Sequence, residues 1–123
     1  MSIKPINKIL VVDDSPTDLH IITSYLLKNG FTVISATTGN EALEAAKLQK
    51  PDLILMDVVM PGMNGFQATR MLSKDPATAK IPVFVISSKD QETDRIWAMR
   101  QGASDYMVKP VNEATLIKKI KAF

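Results

Sequence analysis

The amino-acid sequence predicts an α/β sandwich built on a five-stranded parallel sheet, and three observations carry that prediction. Five short strand-like runs, most of them strongly apolar, alternate with five segments of helical spacing. The third run, Leu53–Asp57 (LILMD), is apolar through four consecutive residues, as a strand covered on both faces must be. Polar residues and turn formers follow the runs directly, so the chain reverses after each one. Right-handed crossovers between parallel strands then put helices on the two sheet faces.

The first strand is read over Lys8–Asp13, a β-branched apolar run ending in Asp13-Asp14. Ser15 before Pro16 is a helix start, a capping hydroxyl followed by proline in the first turn. Leu19, Ile22 and Leu26 give the buried stripe of the first helix, which Asn29-Gly30 stops. Phe31–Ala36 alternates as a more exposed strand. Gly39–Gln49 follows as a helix rich in alanine, broken by Lys50-Pro51 before the central strand. Beyond the turn Pro61-Gly62, Gly65–Ser73 is a short helix, Ile81–Ile86 a buried strand, and Asp90–Gln101 a helix closed by Gly102. Its acids come early and its arginines late, matching the helix dipole. Ser104–Val108 is the last strand. Asn112 caps the last helix, Glu113–Ala122, whose Leu116, Ile117 and Ile120 face inward and whose lysines face water. The alternation fills residues 1–123, which read as one domain with no second domain attached.

Composition excludes several classes. Fifteen Lys and Arg against 13 Asp and Glu leave a net charge of +2 with no basic cluster, so nothing marks a nucleic-acid partner. A helix-turn-helix segment is also missing, which disfavours a transcription factor. Without cysteine there is neither a disulfide nor a cysteine–zinc site, in keeping with a reducing compartment. The N-terminal MSIKPINK lacks the apolar core of a signal peptide, and no apolar run reaches membrane-spanning length. The reading is a soluble, cytoplasmic protein without membrane insertion.

The chemistry-bearing residues fall at one end of successive strands. Asp13 and Asp14 follow the first strand, Asp57 ends the third, Ser87 the fourth, and Lys109 follows the fifth. Sites form outside the carboxyl ends of strands in open α/β sheets. If the first and third strands are neighbours, three carboxylates converge, and a pair about 4 Å apart repels by roughly 4 kcal/mol at an effective dielectric near 20. A hard divalent cation offsets that cost. Mg²⁺ suits it, with Mn²⁺ able to substitute. The expected set is Asp14, Asp57 and a backbone carbonyl on the metal, Asp13 acting through water, and Lys109 supplying the remaining positive charge. This set fits phosphoryl transfer to Asp57, whose carboxylate is already ionised and needs no general base. Lys109 and the Ser87 hydroxyl would hold the other phosphoryl oxygens. Like-charge repulsion also predicts that neutralising Asp13 or Asp57 stabilises the metal-free protein.

Four stretches carry a family resemblance over nearly the full length: Val11–Ser15 (VVDDS), Met56–Gly65 (MDVVMPGMNG), the pair Ser87-Ser88, and Tyr106–Pro110 (YMVKP). In this order and at these separations they resemble response-regulator receiver domains of the stand-alone, CheY-like kind. The resemblance implies a flavodoxin-like strand order 2-1-3-4-5, phosphorylation of Asp57 by a histidine kinase, and metal ligation that includes the Val59 carbonyl. It implies a signalling domain, not a turnover enzyme, which catalyses only its own phosphorylation and slow dephosphorylation. It further implies a switch in which Ser87 moves toward the phosphoryl group and Tyr106 follows it inward. The face of the fourth helix, fifth strand and fifth helix would then meet a downstream protein, with Trp97 and Met99 as contacts or core. Lys109-Pro110 resembles the family's cis peptide, although X–Pro bonds are more often trans. Ser87–Val111 is similar to the receivers of twitching-motility, type IV pilus systems. Val59 cannot hydrogen-bond an attacking water and Lys89 is cationic, so these two positions are expected to set the phosphoryl lifetime. His20 reads as a surface residue, and Met60 and Met63 as rim residues of the site.

Other readings stay open on residues alone. The domain could be a phosphate sink for a sister receiver. An Mg²⁺-dependent aspartyl-phosphate phosphatase would need a second acid near Asp57, where Val58 and Val59 stand. A flavin or nucleotide binder would want a phosphate cradle after the first strand, where Asp13-Asp14 puts negative charge.

Overall fold

Residues 5–123 are described by the structure, a computed structural model, so Met1–Lys4 of the N-terminal stretch lie outside the described residues. The elements alternate without exception: β1 (Lys8–Val12), α1 (Pro16–Lys28), β2 (Thr32–Ala36), α2 (Gly39–Gln49), β3 (Leu53–Asp57), α3 (Gly65–Lys74), β4 (Val83–Ser87), α4 (Glu92–Arg100), β5 (Asp105–Val108) and α5 (Glu113–Ala122). All strand pairs are parallel, and the sheet order is β2-β1-β3-β4-β5. This is the flavodoxin-like, CheY-like arrangement that the family resemblance implied.

Side chains alternate across the pleat and divide the core in two. Leu10, Val12, Ile54, Met56, Val83 and Val85 face Ala42, Ala46, Ala68, Leu72 and Ala98 of α2, α3 and α4. Ile9, Val11, Leu53, Leu55, Phe84 and Ile86 face Ile22 and Leu26 of α1 and Leu116, Ile117 and Ile120 of α5. Both faces are therefore covered, which is why the central strands read as continuous apolar runs. The small residues on α2 and α3 let those helices lie close to the sheet.

Element ends differ from expectation where local hydrogen bonding decides. Pro82 has no N–H to give the ladder, so β4 begins at Val83 and not at Ile81, while the Pro82 carbonyl still accepts from Ile54 N–H at 3.0 Å. Gln91 caps α4 with Asp94 taking its N–H at 3.2 Å, so that helix starts two residues after Asp90. Lys50 ends α2 in the left-handed region at φ 48°.

Register now fixes the site. Val12 lies opposite Met56, which sets Asp13 beside Asp57 at the next step; Asp57 lies opposite Ile86, and Ser87 opposite Val108. The ladder runs on past the strands, with Asp13 N–H to Ala36 O at 3.1 Å and Lys109 N–H to Ser87 O at 2.8 Å. Asp13, Asp57, Ser87 and Lys109 are thus carried by backbone pairing to one edge of the sheet.

Gly65 locks the loop after Asp57. Its N–H donates to Val58 O at 2.9 Å, and a Cβ there would lie 1.9 Å from the Asp57 carbonyl oxygen and 2.9 Å from Val58 Cα. Those neighbours are backbone and cannot step aside. Gly65→Ala is expected to cost about 2–4 kcal/mol in denaturant melts, because the start of α3 must leave the loop. A loss below about 1 kcal/mol would show that the loop gives way cheaply.

Candidate functional site

Asp13 and Asp57 are buried at the sheet edge, 2% and 6% exposed, while Asp14 faces solvent. One carboxylate oxygen from each of Asp13, Asp14 and Asp57 lies within 4.8 Å of the others. Lys109 Nζ sits among the carboxylates, 2.9 Å from Asp13 Oδ2 and 3.1 Å from Asp57 Oδ1. The peptide before Pro110 is cis. The other Asp13 oxygen accepts the Ser15 N–H at 2.9 Å, tying the turn after β1 to the start of α1.

The electrostatics follow from this crowding. Burial, with the Asp13 charge second, pushes the Asp57 carboxyl up from 3.8 to about 6, against the pull of Lys109. Burial alone would lower Lys109, but its bonds to Asp13, Asp18 and Asp57 overcome that and raise it, so the ammonium stays charged. At neutral pH most Asp57 is still ionised and available as a nucleophile. Three hard oxygen donors at this spacing fit Mg²⁺, which favours a few carboxylates and retained waters. An ammonium shared by two of them shows how strongly the pocket seeks positive charge.

The remaining residues named from sequence stand around this centre. The Ser87 hydroxyl is fully buried and accepts the Lys89 N–H at 3.1 Å, so it is held in the β4–α4 loop and makes no bond to Asp57. Tyr106 is inward, 5% exposed, and its hydroxyl donates to the Lys89 carbonyl at 2.6 Å. Burial holds that phenol above its ordinary range, with the Ser87 hydroxyl acting the other way. Lys89 thus enters through its backbone, while its side chain is exposed. Val59 is 59% exposed beside the site, and His20 lies on the surface. Met63 is half-buried, but Met60 is not a rim residue: it is buried in the core on the α2–α3–α4 side of the sheet. Trp97 and Met99 are both exposed, which settles them as surface.

One residue escaped the sequence reading. Asp18 Oδ2 is 2.9 Å from Lys109 Nζ, so a third carboxylate holds the ammonium. Its only linear signal is an acid in the third position of a helix, which ordinarily means capping.

Residues 9–121 match the family model of the response regulator receiver domain. The chain belongs to that family. This receiver is 54% identical over 115 residues to Protein PilH of Pseudomonas aeruginosa, covering 94% of this chain and 95% of PilH. Of several further curated relatives the receiver spans only 25–49% of the length. Among solved structures, Vibrio cholerae chemotaxis protein CheY4 superposes with a TM-score of 0.89 at 29% identity, covering 95% of this chain and 98% of the other. The receiver domain of the sensor histidine kinase PA1611 from Pseudomonas aeruginosa, whose structure has a magnesium ion coordinated in the active site cleft, superposes at 0.87 with 28% identity, over 94% and 95% of the two chains. Receiver domains bind Mg²⁺ in an acidic pocket, and Asp13, Asp14 and Asp57 form one here. No described helix is long and apolar enough to cross a membrane.

Proposed function

We propose that this receiver is the cytoplasmic, stand-alone response regulator of a two-component system, taking a phosphoryl group on Asp57 from a histidine kinase. The reading rests chiefly on Lys109 Nζ lying between buried Asp13 and Asp57, with Asp14 at the mouth. Asp14, Asp57 and the Val59 carbonyl would hold Mg²⁺, and Asp13 would act through a bound water. When bound, the cation supplies neutralisation of charge on the transferring oxygens. A carboxylate oxygen of Asp57 attacks phosphorus in line as the bond to the donor's imidazole nitrogen breaks. The electron pair leaves with that nitrogen, which takes a proton from solvent. Lys109 holds one phosphoryl oxygen, and the Ser87 hydroxyl turns from the Lys89 N–H to hold another.

Output would pass through the α4-β5-α5 face. Ile96, Trp97 and Met99 on α4 and Val108 on β5 are all exposed, apolar side chains that a partner could cover. Tyr106 lies beneath this face, bonded to the loop that follows Ser87. A phosphoryl group that draws Ser87 inward therefore pulls on the same loop, and a bias of a few kcal/mol suffices to shift a two-state surface. The likeness to PilH and the Ser87–Val111 stretch favour a role in type IV pilus twitching motility.

Incubation of the whole chain with Mg²⁺ and acetyl phosphate, followed by intact mass and peptide mapping, tests this. One phosphoryl group per chain, on Asp57, is expected, and none without divalent cation. Steady release of phosphate from a phosphomonoester would favour the phosphatase. Val59→Asn places an amide where an attacking water must sit and is expected to shorten the phosphoryl lifetime about tenfold. An unchanged decay rate removes position 59 from lifetime control.

A further inference from the structure

Asp18 stands at the third residue of α1, three after the capping Ser15. In a reciprocal cap such an acid turns back to the capping residue's N–H. Here that donor is taken: Ser15 N–H goes to Asp13 Oδ1 at 2.9 Å, while Ser15 Oγ accepts from Asp18 N–H at 3.3 Å. The Asp18 carboxylate is left over, and it reaches across to Lys109 instead.

An ammonium has three hydrogens. Lys109 Nζ faces three carboxylate oxygens: it donates to Asp13 Oδ2 and Asp18 Oδ2 at 2.9 Å each, and pairs with Asp57 Oδ1 at 3.1 Å. A phosphoryl oxygen must compete with these acceptors for the ammonium. Of the three acceptors, Asp13 and Asp57 have almost no water contact, whereas the Asp18 side chain is 40% exposed. Asp18 is therefore the acceptor whose loss water can compensate. We propose that Asp18 is a positioning residue that holds Lys109 by one of its hydrogens in the unphosphorylated state and must surrender it to the phosphoryl oxygen, so that it brakes phosphoryl uptake. This rests on the receiver reading above. It makes one side chain of α1 the competitor of the phosphoryl group for the same donor.

The test uses the whole chain as wild type, Asp18→Asn and Asp18→Glu. Beryllofluoride, a non-covalent mimic of the phosphoryl group, is titrated at saturating Mg²⁺ and followed by fluorine NMR. Mg²⁺ is titrated separately, without beryllofluoride, against backbone amide shifts. Labelling by acetyl phosphate gives initial rates. Asp18→Asn is expected to bind beryllofluoride and to label about two- to fivefold more readily, the range for a half-exposed ion pair. Its Mg²⁺ affinity should fall at the same time, because a negative charge has left the pocket. Asp18→Glu keeps the carboxylate and should stay near wild type. A side chain that only braced the fold would weaken both ligands together. Beryllofluoride binding by Asp18→Asn no tighter than wild type overturns the role of Asp18, as does Asp18→Glu behaving like Asp18→Asn. Wild type that takes up neither beryllofluoride nor phosphoryl is a separate result, which removes the receiver reading and this inference with it.

Discussion

Lys109→Ala is expected to destabilise the metal-free protein by about 3 kcal/mol at pH 7, the penalty for leaving buried carboxylates without their counter-charge. Asp13 and Asp57 are almost wholly buried and share one ammonium, so neither has another cation in reach among the described contacts. Lys109→Met separates charge from packing, because it keeps an apolar stem of similar length. Both variants should lose stability alike if charge is the cause. Mg²⁺ should restore much of the loss, because it binds the native acid cluster and not the unfolded chain. Phosphoryl uptake should fall by about 10²–10³, the usual cost of removing one charge-stabilising donor. Denaturant melts with and without Mg²⁺ check the first part, and labelling rates the second. A Lys109→Met protein as stable as wild type in the absence of metal would show that the acids do not need the ammonium.

Most of the fold could be read from the sequence because its determinants are local. LILMD can only be a doubly covered strand, Asn112 caps α5 where expected, and Gly39–Gln49 matches its helix at both ends. The convergence of Asp13, Asp57 and Lys109 was also legible, since each directly ends or follows a strand and the parallel ladder keeps such positions level. What could not be read depends on side-chain direction. Asp18 lies on a helix and not at a strand end, and its carboxylate is free for Lys109 only because Asp13 has taken the Ser15 N–H. The resemblance implies that Tyr106 moves inward with the phosphoryl group, yet it already lies inward here. Its inward position comes from the Lys89 carbonyl, 17 residues away. Met60 looked like rim because it lies close to Asp57 in the chain, yet it is buried among the core residues on the α2–α3–α4 side of the sheet.

Asp57→Asn is expected to be more stable than wild type by about 1–2 kcal/mol at pH 7 without divalent cation, and to flatten the pH dependence of stability. The Asp57 carboxyl titrates at about 6 in the folded protein against 3.8 unfolded. The native state therefore holds the proton more tightly, and its advantage is complete below about pH 3.8. As pH rises toward 6 the unfolded chain gives up its proton first, and the advantage is progressively lost. A shift of this size corresponds to about 3 kcal/mol at most, and less in practice because the mouth of the site is wet. The asparagine carries no charge to desolvate, so its melts should show little of the decline between pH 4 and 6 that wild type shows. The same reasoning does not extend to Asp13. Its two oxygens accept from Ser15 N–H and Lys109 Nζ, and Asp13→Ala would leave both donors wanting, so the stabilisation that repulsion alone predicts there is offset. Added Mg²⁺ should reverse the order, stabilising wild type well above Asp57→Asn, since the variant has lost a ligand. An Asp57→Asn protein weaker than wild type at pH 7 without metal would mean that Lys109 already neutralises the cluster, leaving no electrostatic cost for the cation to relieve.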